Sequence, residues 1–217
     1  MLTTKPKVTQ LPGAGDDCAL MLAIRDEDDS AAFAMLVERY WGRLVAYAAR
    51  LLTRQSDAED TVQEVFIQVW KRRKDWAPSG SVSGYLYRIT RNFALNAIRL
   101  RQVRRRPEEA VAVEILEYSA PSSPEEDFES AQLRHEIESA IDALPERRRE
   151  VFILARYHGL THREIASAMD ISVQTVSNQM TAALATLRVT LAHHLPAAEL
   201  ADASVLPHRA PRDPQSQ

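Results

Sequence analysis

Apolar residues return every three or four positions through most of this chain, which is the spacing of amphipathic helices. One helix is predicted from about Asp17 to Arg25, and a second from Ser30, with Phe33, Leu36, Val37, Tyr40 and Trp41 on one stripe. The stripe continues, or restarts after Gly42, through Leu44, Tyr47, Ala48, Leu51 and Leu52. Ser56-Asp57-Ala58-Glu59 reads as a capping box, opening a helix with Val62, Val65, Phe66 and Val69 inward. Pro78-Ser79-Gly80-Ser81 ends that segment just after Trp76. The next helix is predicted over Tyr85–Val103, with Leu86, Ile89, Phe93, Ala97 and Leu100 on one face.

The pattern then lapses. Between Pro107 and Leu133 there is no Lys or Arg but there are eight Asp or Glu, together with Pro107, Pro121 and Pro124. Such a stretch reads as an extended acidic linker. Helical periodicity resumes with Leu133, Ile137, Ile141 and Leu144, then with Val151, Phe152, Leu154 and Ala155 up to Gly159, where an αL exit is natural. Pro145 suits the first turn of the second of these helices. Thr161-His162-Arg163-Glu164 is another capping box. It begins a two-turn helix with Ile165, Ala166 and Met169 inward. Asp170 occupies the turn, and Ser172 caps a further helix with Val173, Val176 and Met180 inward. The expected fold is all-α, in two small helical domains. A tail spans 1–17, the first domain 18–106, the acidic linker 107–125, the second domain 126–195, and a second tail, with four prolines, 196–217.

Composition narrows the function. Glycine is scarce and helix formers abound. The single cysteine, Cys18, rules out an internal disulfide and a multi-cysteine metal site. No apolar run approaches the ~20 residues that span a bilayer, and the first residues lack the apolar core of a signal peptide. A cytoplasmic protein with no membrane insertion and no cofactor is the expectation. The net charge of −3 says little about a nucleic-acid partner, so the distribution of charge matters more.

That distribution is uneven. Two short helices about a tight turn, 161–187, form a helix-turn-helix pattern, whose second helix fits a major groove. Ser172, Gln174, Thr175, Ser177, Asn178 and Gln179 lie near its N-terminal end, and Asn and Gln can each bond adenine bidentately. Any solvated helix shows polar residues outward; the two caps, the short turn and the inward Ala166 favour DNA contact. Upstream, Tyr85–Arg106 holds seven arginines and no acid. Such a run suits a phosphate backbone, and Trp76, Tyr85, Tyr87 and Phe93 beside it suit the stacking of unpaired bases. The bland alternative for Phe93 is a core position, and for Trp76 a plug at the base of its loop. The helix over Asp57–Asp75 presents Asp57, Glu59, Asp60, Gln63, Glu64 and Gln68 before Lys71-Arg72-Arg73-Lys74, a surface suited to a protein partner. The same charge order matches the helix dipole.

The segments DAEDTVQEVFIQVWKRRKDW, SGYLYRITRNFALNAIRLRQVRRR and ALPERRREVFILARYHGLTHREIASAMDISVQTVSNQMTAAL, in this order, resemble the extracytoplasmic-function group of bacterial sigma-70 family RNA polymerase sigma factors. The resemblance covers roughly 28–106 and 126–191. It implies that the first domain is sigma region 2 and the second is region 4. Asp60, Gln63, Glu64, Phe66 and Trp70 would then dock on the coiled coil of the polymerase β′ subunit. Trp76, Tyr85, Arg88, Arg91, Asn92, Asn96, Arg99, Arg104 and Arg105 would hold the opened −10 region, and the helix from Ser172 would read the −35 element. The implied partners are core RNA polymerase, through its β′ coiled coil and β flap, promoter DNA, and an anti-sigma factor of the membrane-bound kind. Ser177 and Gln179 stand where many relatives carry Lys or Arg, and Asp170 replaces the usual turn glycine.

Two other readings compete. A helix-turn-helix regulator acting without polymerase needs no docking helix. An enzyme is a distant third: His158 and His162 straddle Gly159 and a helix cap, so they do not share a helical face for a metal pair. Asp26-Glu27-Asp28-Asp29 reads as an exposed helix-linking loop, and Cys18 as a small buried residue.

Overall fold

The computed structural model describes residues 14–52, 54–77, 80–104 and 128–194. Among these residues all regular structure is helical. The linker 107–125, the tail 196–217 and the first thirteen residues lie outside them. Eight α-helices follow in order: α1 (Ala14–Glu27), α2 (Ser30–Leu51), α3 (Gln55–Lys71), α4 (Val82–Arg104), α5 (Phe128–Asp142), α6 (Glu146–Arg156), α7 (His162–Met169) and α8 (Val173–Thr190). Short 3₁₀ turns cover Arg73–Asp75 and Ala192–His194. None of the described helices is long and apolar enough to cross a membrane.

The stripes predicted for α2 and α3 are the core of the first half. Leu36, Tyr40, Leu44 and Tyr47 on α2 meet Val62, Val65, Phe66 and Val69 on α3, all at most 4% exposed. Leu86 and Tyr87 of α4 close this core, and Met21 and Ile24 of α1 add a fourth side to it. Gly42 interrupts nothing, because α2 is continuous through it. The first helix starts at Ala14, three residues before the expected Asp17; Asp16 and Asp17 pair with Arg39 of α2, and Asp17 also accepts from the Tyr40 hydroxyl. Cys18 is half-buried rather than buried.

Caps decide several boundaries. The Ser56 box does not form. The helix starts two residues earlier, at Gln55, with Arg54 in the cap position and no side-chain cap bond; the side-chain amide of Gln55 donates to Glu59 Oε1 instead. The Thr161 box does form. Thr161 Oγ1 accepts from the Glu164 N–H, and Glu164 Oε2 accepts from the Thr161 N–H at 2.7 Å. Ser172 Oγ caps α8 by accepting from the Thr175 N–H at 3.0 Å. Between α7 and α8, Asp170 takes φ 54°, in the αL region that asparagine and aspartate tolerate best among non-glycine residues. Gly159 (φ 67°) ends the chain's turn after α6, with Leu160 N–H reaching back to the Leu154 carbonyl at 3.0 Å.

Some predicted core positions are not core. Leu100 is 57% exposed because Ala97 and Ile98 make the last core contacts along α4. Leu133 is 38% exposed because the packing of α5 begins at Ile137. Val173, the first residue of α8, is 45% exposed, and Val176 carries the burial one turn later.

The second half has its own small cluster, in which Ile141 and Leu144 meet Phe152, Ile153, Ala183 and Leu187. Its remaining apolar residues do not stay within it. Val151, Leu154, Leu160, Ile165, Ala166 and Met169 join the core of the first half, and α7 packs along α4. The two halves therefore share one continuous apolar interior in this structure.

The Thr161 box gives a direct test of these boundaries. Thr161→Ala should lower stability by about 1 kcal/mol, read as a shift in the urea midpoint at unchanged denaturant slope.

Candidate nucleic-acid and polymerase interface

On α8 the polar set divides by exposure. Ser172, Gln174 and Asn178 are exposed, and Thr175, Ser177 and Gln179 are half-buried. Gln174 donates to Asn178 Oδ1 at 2.9 Å, and the Ser172 and Thr175 hydroxyls lie 2.8 Å apart. The two amide side chains most suited to adenine are thus held on one helical face. Val176 beneath them is fully buried, which fixes the rotation of that face.

The basic-aromatic block is less uniform than its sequence. Arg88, Asn92, Asn96 and Arg99 are exposed on α4, and Tyr85 is half-buried. Trp76 is 7% exposed and belongs to the core, as Phe93 does in part. Tyr87 is fully buried, so it cannot stack on a base in this state. Two arginines are engaged by carboxylates: Arg91 with Glu150 at 2.9 and 3.2 Å, and Arg101 with Asp57. Arg104 ends α4, but its side chain, like all of Arg105, falls outside the described residues. A crevice of about 600 Å³ runs along the block, lined by Arg72, Tyr85, Arg88, Arg91 and Asn92 on one side and Ala168, Met169 and Asp170 of α7 on the other. A second, of about 350 Å³, lies where Trp76, Gly80, Ser81, Tyr85 and Arg88 face Ser167.

The α3 surface divides into an acidic strip and an apolar groove. Asp60 and Gln63 are exposed and Glu64 is half-buried. Beside them Phe33, Trp41, Phe66, Ile67 and Trp70 line a groove of about 400 Å³. Its rings are mutually packed: Phe33 meets Phe66 edge-on at 6.1 Å and Trp70 at 5.0 Å, and Trp41 stacks on Phe66 at 6.3 Å. The Arg73 guanidinium sits 4.4 Å from the Trp70 ring centre. Trp41 and Ile67 remain 36% and 37% exposed. An open aromatic groove of this kind accepts the apolar face of a helix from another protein. Sequence periodicity assigned Phe33 and Trp41 to the core stripe of α2; the stripe is wider than one core needs, and its edge forms the groove wall. Phe66 serves both, since it is 4% exposed yet lines the groove.

His158, weighed as half of a metal pair, is a core residue. His158 is 7% exposed, with Nδ1 3.0 Å from the Tyr87 hydroxyl and its ring edge-on to Tyr47 and Tyr87. Burial, reinforced by the positive charges of Arg43 and Arg50, lowers its pKa to about 4. Burial likewise pushes the Tyr87 hydroxyl up to about 12. In the 26–29 loop, Asp28 (φ 57°) pairs with Arg73 and Lys74, and Asp29 caps α2 through the Ala31 and Ala32 N–H groups.

Comparison with known families places two matches on this geometry. Residues 36–104 match Sigma-70 region 2 and residues 134–187 match Sigma-70, region 4. The chain is 32% identical over 176 residues to the ECF RNA polymerase sigma factor RpoE of Cereibacter sphaeroides, covering 80% of this chain and 93% of that one. It is 30% identical over 179 residues to the ECF RNA polymerase sigma factor SigE of Mycolicibacterium smegmatis, covering 81% and 68%. The sigma factor RpoE from Bartonella quintana, solved with the anti-sigma factor NepR, shares the fold with a TM-score of 0.58 at 19% identity, over 73% of this chain and 96% of that one.

The buried imidazole predicts a pH dependence. The fold holds His158 neutral down to about pH 4, whereas an unfolded chain protonates it near 6.5. Its contribution is therefore complete above about pH 6.5 and is lost as the pH falls towards 4, by up to roughly 3 kcal/mol. Urea unfolding at pH 7.5, 6 and 5 should show a steeper acid loss in wild type than in His158→Gln.

Proposed function

The chain belongs to the extracytoplasmic-function group of sigma-70 RNA polymerase sigma factors, and from that premise we propose how its helices divide the work. As a sigma factor it is no enzyme: it binds core RNA polymerase and promoter DNA and directs transcription initiation. Residues 18–106 act as region 2 and residues 126–195 as region 4, joined through the acidic stretch 107–125.

Core polymerase docks on α2 and α3. Phe66 and Trp70 offer an apolar seat, and Asp60, Gln63 and Glu64 offer acidic and polar contacts beside it. The open aromatic groove carries this assignment, because a regulator working without polymerase has no use for it. Tyr85, Arg88, Asn92, Asn96 and Arg99 line the path of the opened −10 strand, with Arg91, Arg104 and Arg105 adding phosphate contacts. Trp76 acts from beneath, by holding the loop through its packing. On α8, Gln174 and Asn178 read −35 base edges, while Ser172, Thr175, Ser177 and Gln179 position the helix on the backbone. Ser177 and Gln179 carry no charge, so fewer counterions are released here than at a lysine or arginine, and −35 binding is less dependent on salt.

The Bartonella quintana relative is bound by an anti-sigma factor. The groove and the α4 face of this chain suit the same kind of partner, including one tethered to a membrane. Its place of action is the cytoplasm.

Run-off transcription with core polymerase tests the whole assignment: the protein should support initiation at specific genomic promoters, and initiation at none would overturn it. Asp60→Lys with Glu64→Lys should weaken binding to core at least tenfold in a pull-down titration, with helicity unchanged by circular dichroism. Asn178→Ala should cost about 1–3 kcal/mol of −35 discrimination, measured as specific against scrambled duplex; equal loss on both would remove Asn178 from base reading.

A further inference from the structure

We infer that Asp28 and Tyr40 are positioning residues for the −10 strand: they tie the two ends of the segment between Trp76 and Ser83 to the helices beneath it. This rests on the reading of Trp76 and α4 as the −10 surface, and it goes beyond that reading by giving a role to two residues outside that surface.

The first tie holds the entry of the segment. Asp28 follows α1 at φ 57°, a conformation in which glycine is the favoured residue. No contact near it in sequence accounts for an aspartate there. Its carboxylate instead reaches across 45 residues, where Oδ1 accepts from Arg73 Nε at 2.5 Å and lies 3.0 Å from Lys74 Nζ. Both cations belong to the short turn Arg73–Asp75 that leads into Trp76. Arg73 is fixed further: Nη1 donates to the Trp70 carbonyl at 2.7 Å, and the guanidinium lies over the Trp70 ring. Arg25 of α1 adds a long contact, 3.4 Å, to the Trp76 carbonyl.

The second tie holds the exit. Tyr40 of α2 is 1% exposed, so its hydroxyl must be satisfied inside the protein. It donates to Asp17 of α1, which Arg39 holds from another side, and it is hydrogen-bonded to Ser83, a buried residue in the first turn of α4. Ser81 Oγ accepts from the Gly84 N–H at 2.9 Å and so caps the same turn.

Between the ties lies the crevice lined by Trp76, Gly80, Ser81 and Tyr85. A strand captured there pays its own ordering cost, and any freedom left in the protein segment adds to that cost. Anchoring both ends removes that freedom before the strand arrives.

Two variants test this. Asp28→Asn removes the charge and keeps a residue that tolerates the αL conformation. Tyr40→Phe removes only a hydroxyl. In the free full chain, amide exchange should quicken about fivefold or more, over 75–77 for Asp28→Asn and over 80–83 for Tyr40→Phe, with α3 protection unchanged. Holoenzyme assembled with core polymerase is then offered forked duplexes with a randomised single-stranded −10 segment, and the sequence that wild type selects is used as the probe. Each variant should bind that fork about fivefold or more weakly, at unchanged affinity for core. For Asp28→Asn the sign is decisive, because a bare charge effect runs the other way: removing an acid near phosphates strengthens binding. Exchange that neither variant alters overturns the ties. Fork binding by Asp28→Asn that is equal to or tighter than wild type overturns the positioning role, even if Tyr40→Phe fails to fold. Wild-type holoenzyme that selects no fork sinks the −10 reading itself, and the positioning role with it.

Discussion

Glu150 sets a constraint that the rest of the arrangement follows. A carboxylate with so little solvent must be paired, and breaking such a pair by removing one partner typically costs about 3–5 kcal/mol. Its partners, Tyr47 and Arg91, come from α2 and α4, more than fifty residues away in sequence. Satisfying Glu150 fixes α6 against the first domain. With α6 in place, His158 falls against Tyr47 and Tyr87, the Gly159 turn brings Leu160 into the shared core, and α7 lies along α4. A buried ion pair is weak evidence for added stability, since two well-packed apolar side chains often serve as well. What it supplies here is register. Apolar surface alone would let α7 slide along α4, whereas the Glu150–Arg91 fork permits one alignment.

The helices were legible because their signals are local. The stripe Leu36, Tyr40, Leu44 and Tyr47 is one face of one helix, and the Thr161 box and the Ser172 cap satisfy donors within three residues of themselves. Even the unusual Asp170 is a local matter, because its own side chain makes the αL conformation tolerable. The Ser56 box failed for a local reason too: its rival Gln55–Glu59 sits one residue earlier, and boundaries are the softest part of any such reading.

What periodicity could not supply was the destination of each apolar face. A stripe gives burial, not the partner that does the burying. Val151, Leu154 and Ile165 look like the core of the second domain from sequence, yet they complete the first. Tyr87 has the neighbours of a base-stacking aromatic and the burial of a core one. Arg91 reads as one member of a cationic run, and only the fold reveals a carboxylate opposite it. Charge runs are informative about a surface only after the acids that other elements bring to it are counted. The net charge of −3 hints that such acids exist somewhere but not where.

On the roles proposed above, the same surfaces carry competing tasks, which accounts for their mixed chemistry. A groove built solely to dock polymerase could be wholly apolar, but exposed apolar surface invites unwanted association. Placing Asp60, Gln63 and Glu64 beside Phe66 and Trp70 keeps the seat selective, since charge complementarity discriminates between partners more than it adds affinity. On α4 the balance runs the other way. Arginines free enough to hold a phosphate backbone are free enough to take any anionic surface, including one from the same chain. Glu150 is fixed on a rigid helix, and it holds Arg91 in this structure. Nucleic acid offers many phosphates but must arrive as a separate molecule and bring an opened strand. Any phosphate that Arg91 is proposed to take must therefore compete with a carboxylate that the fold has already placed.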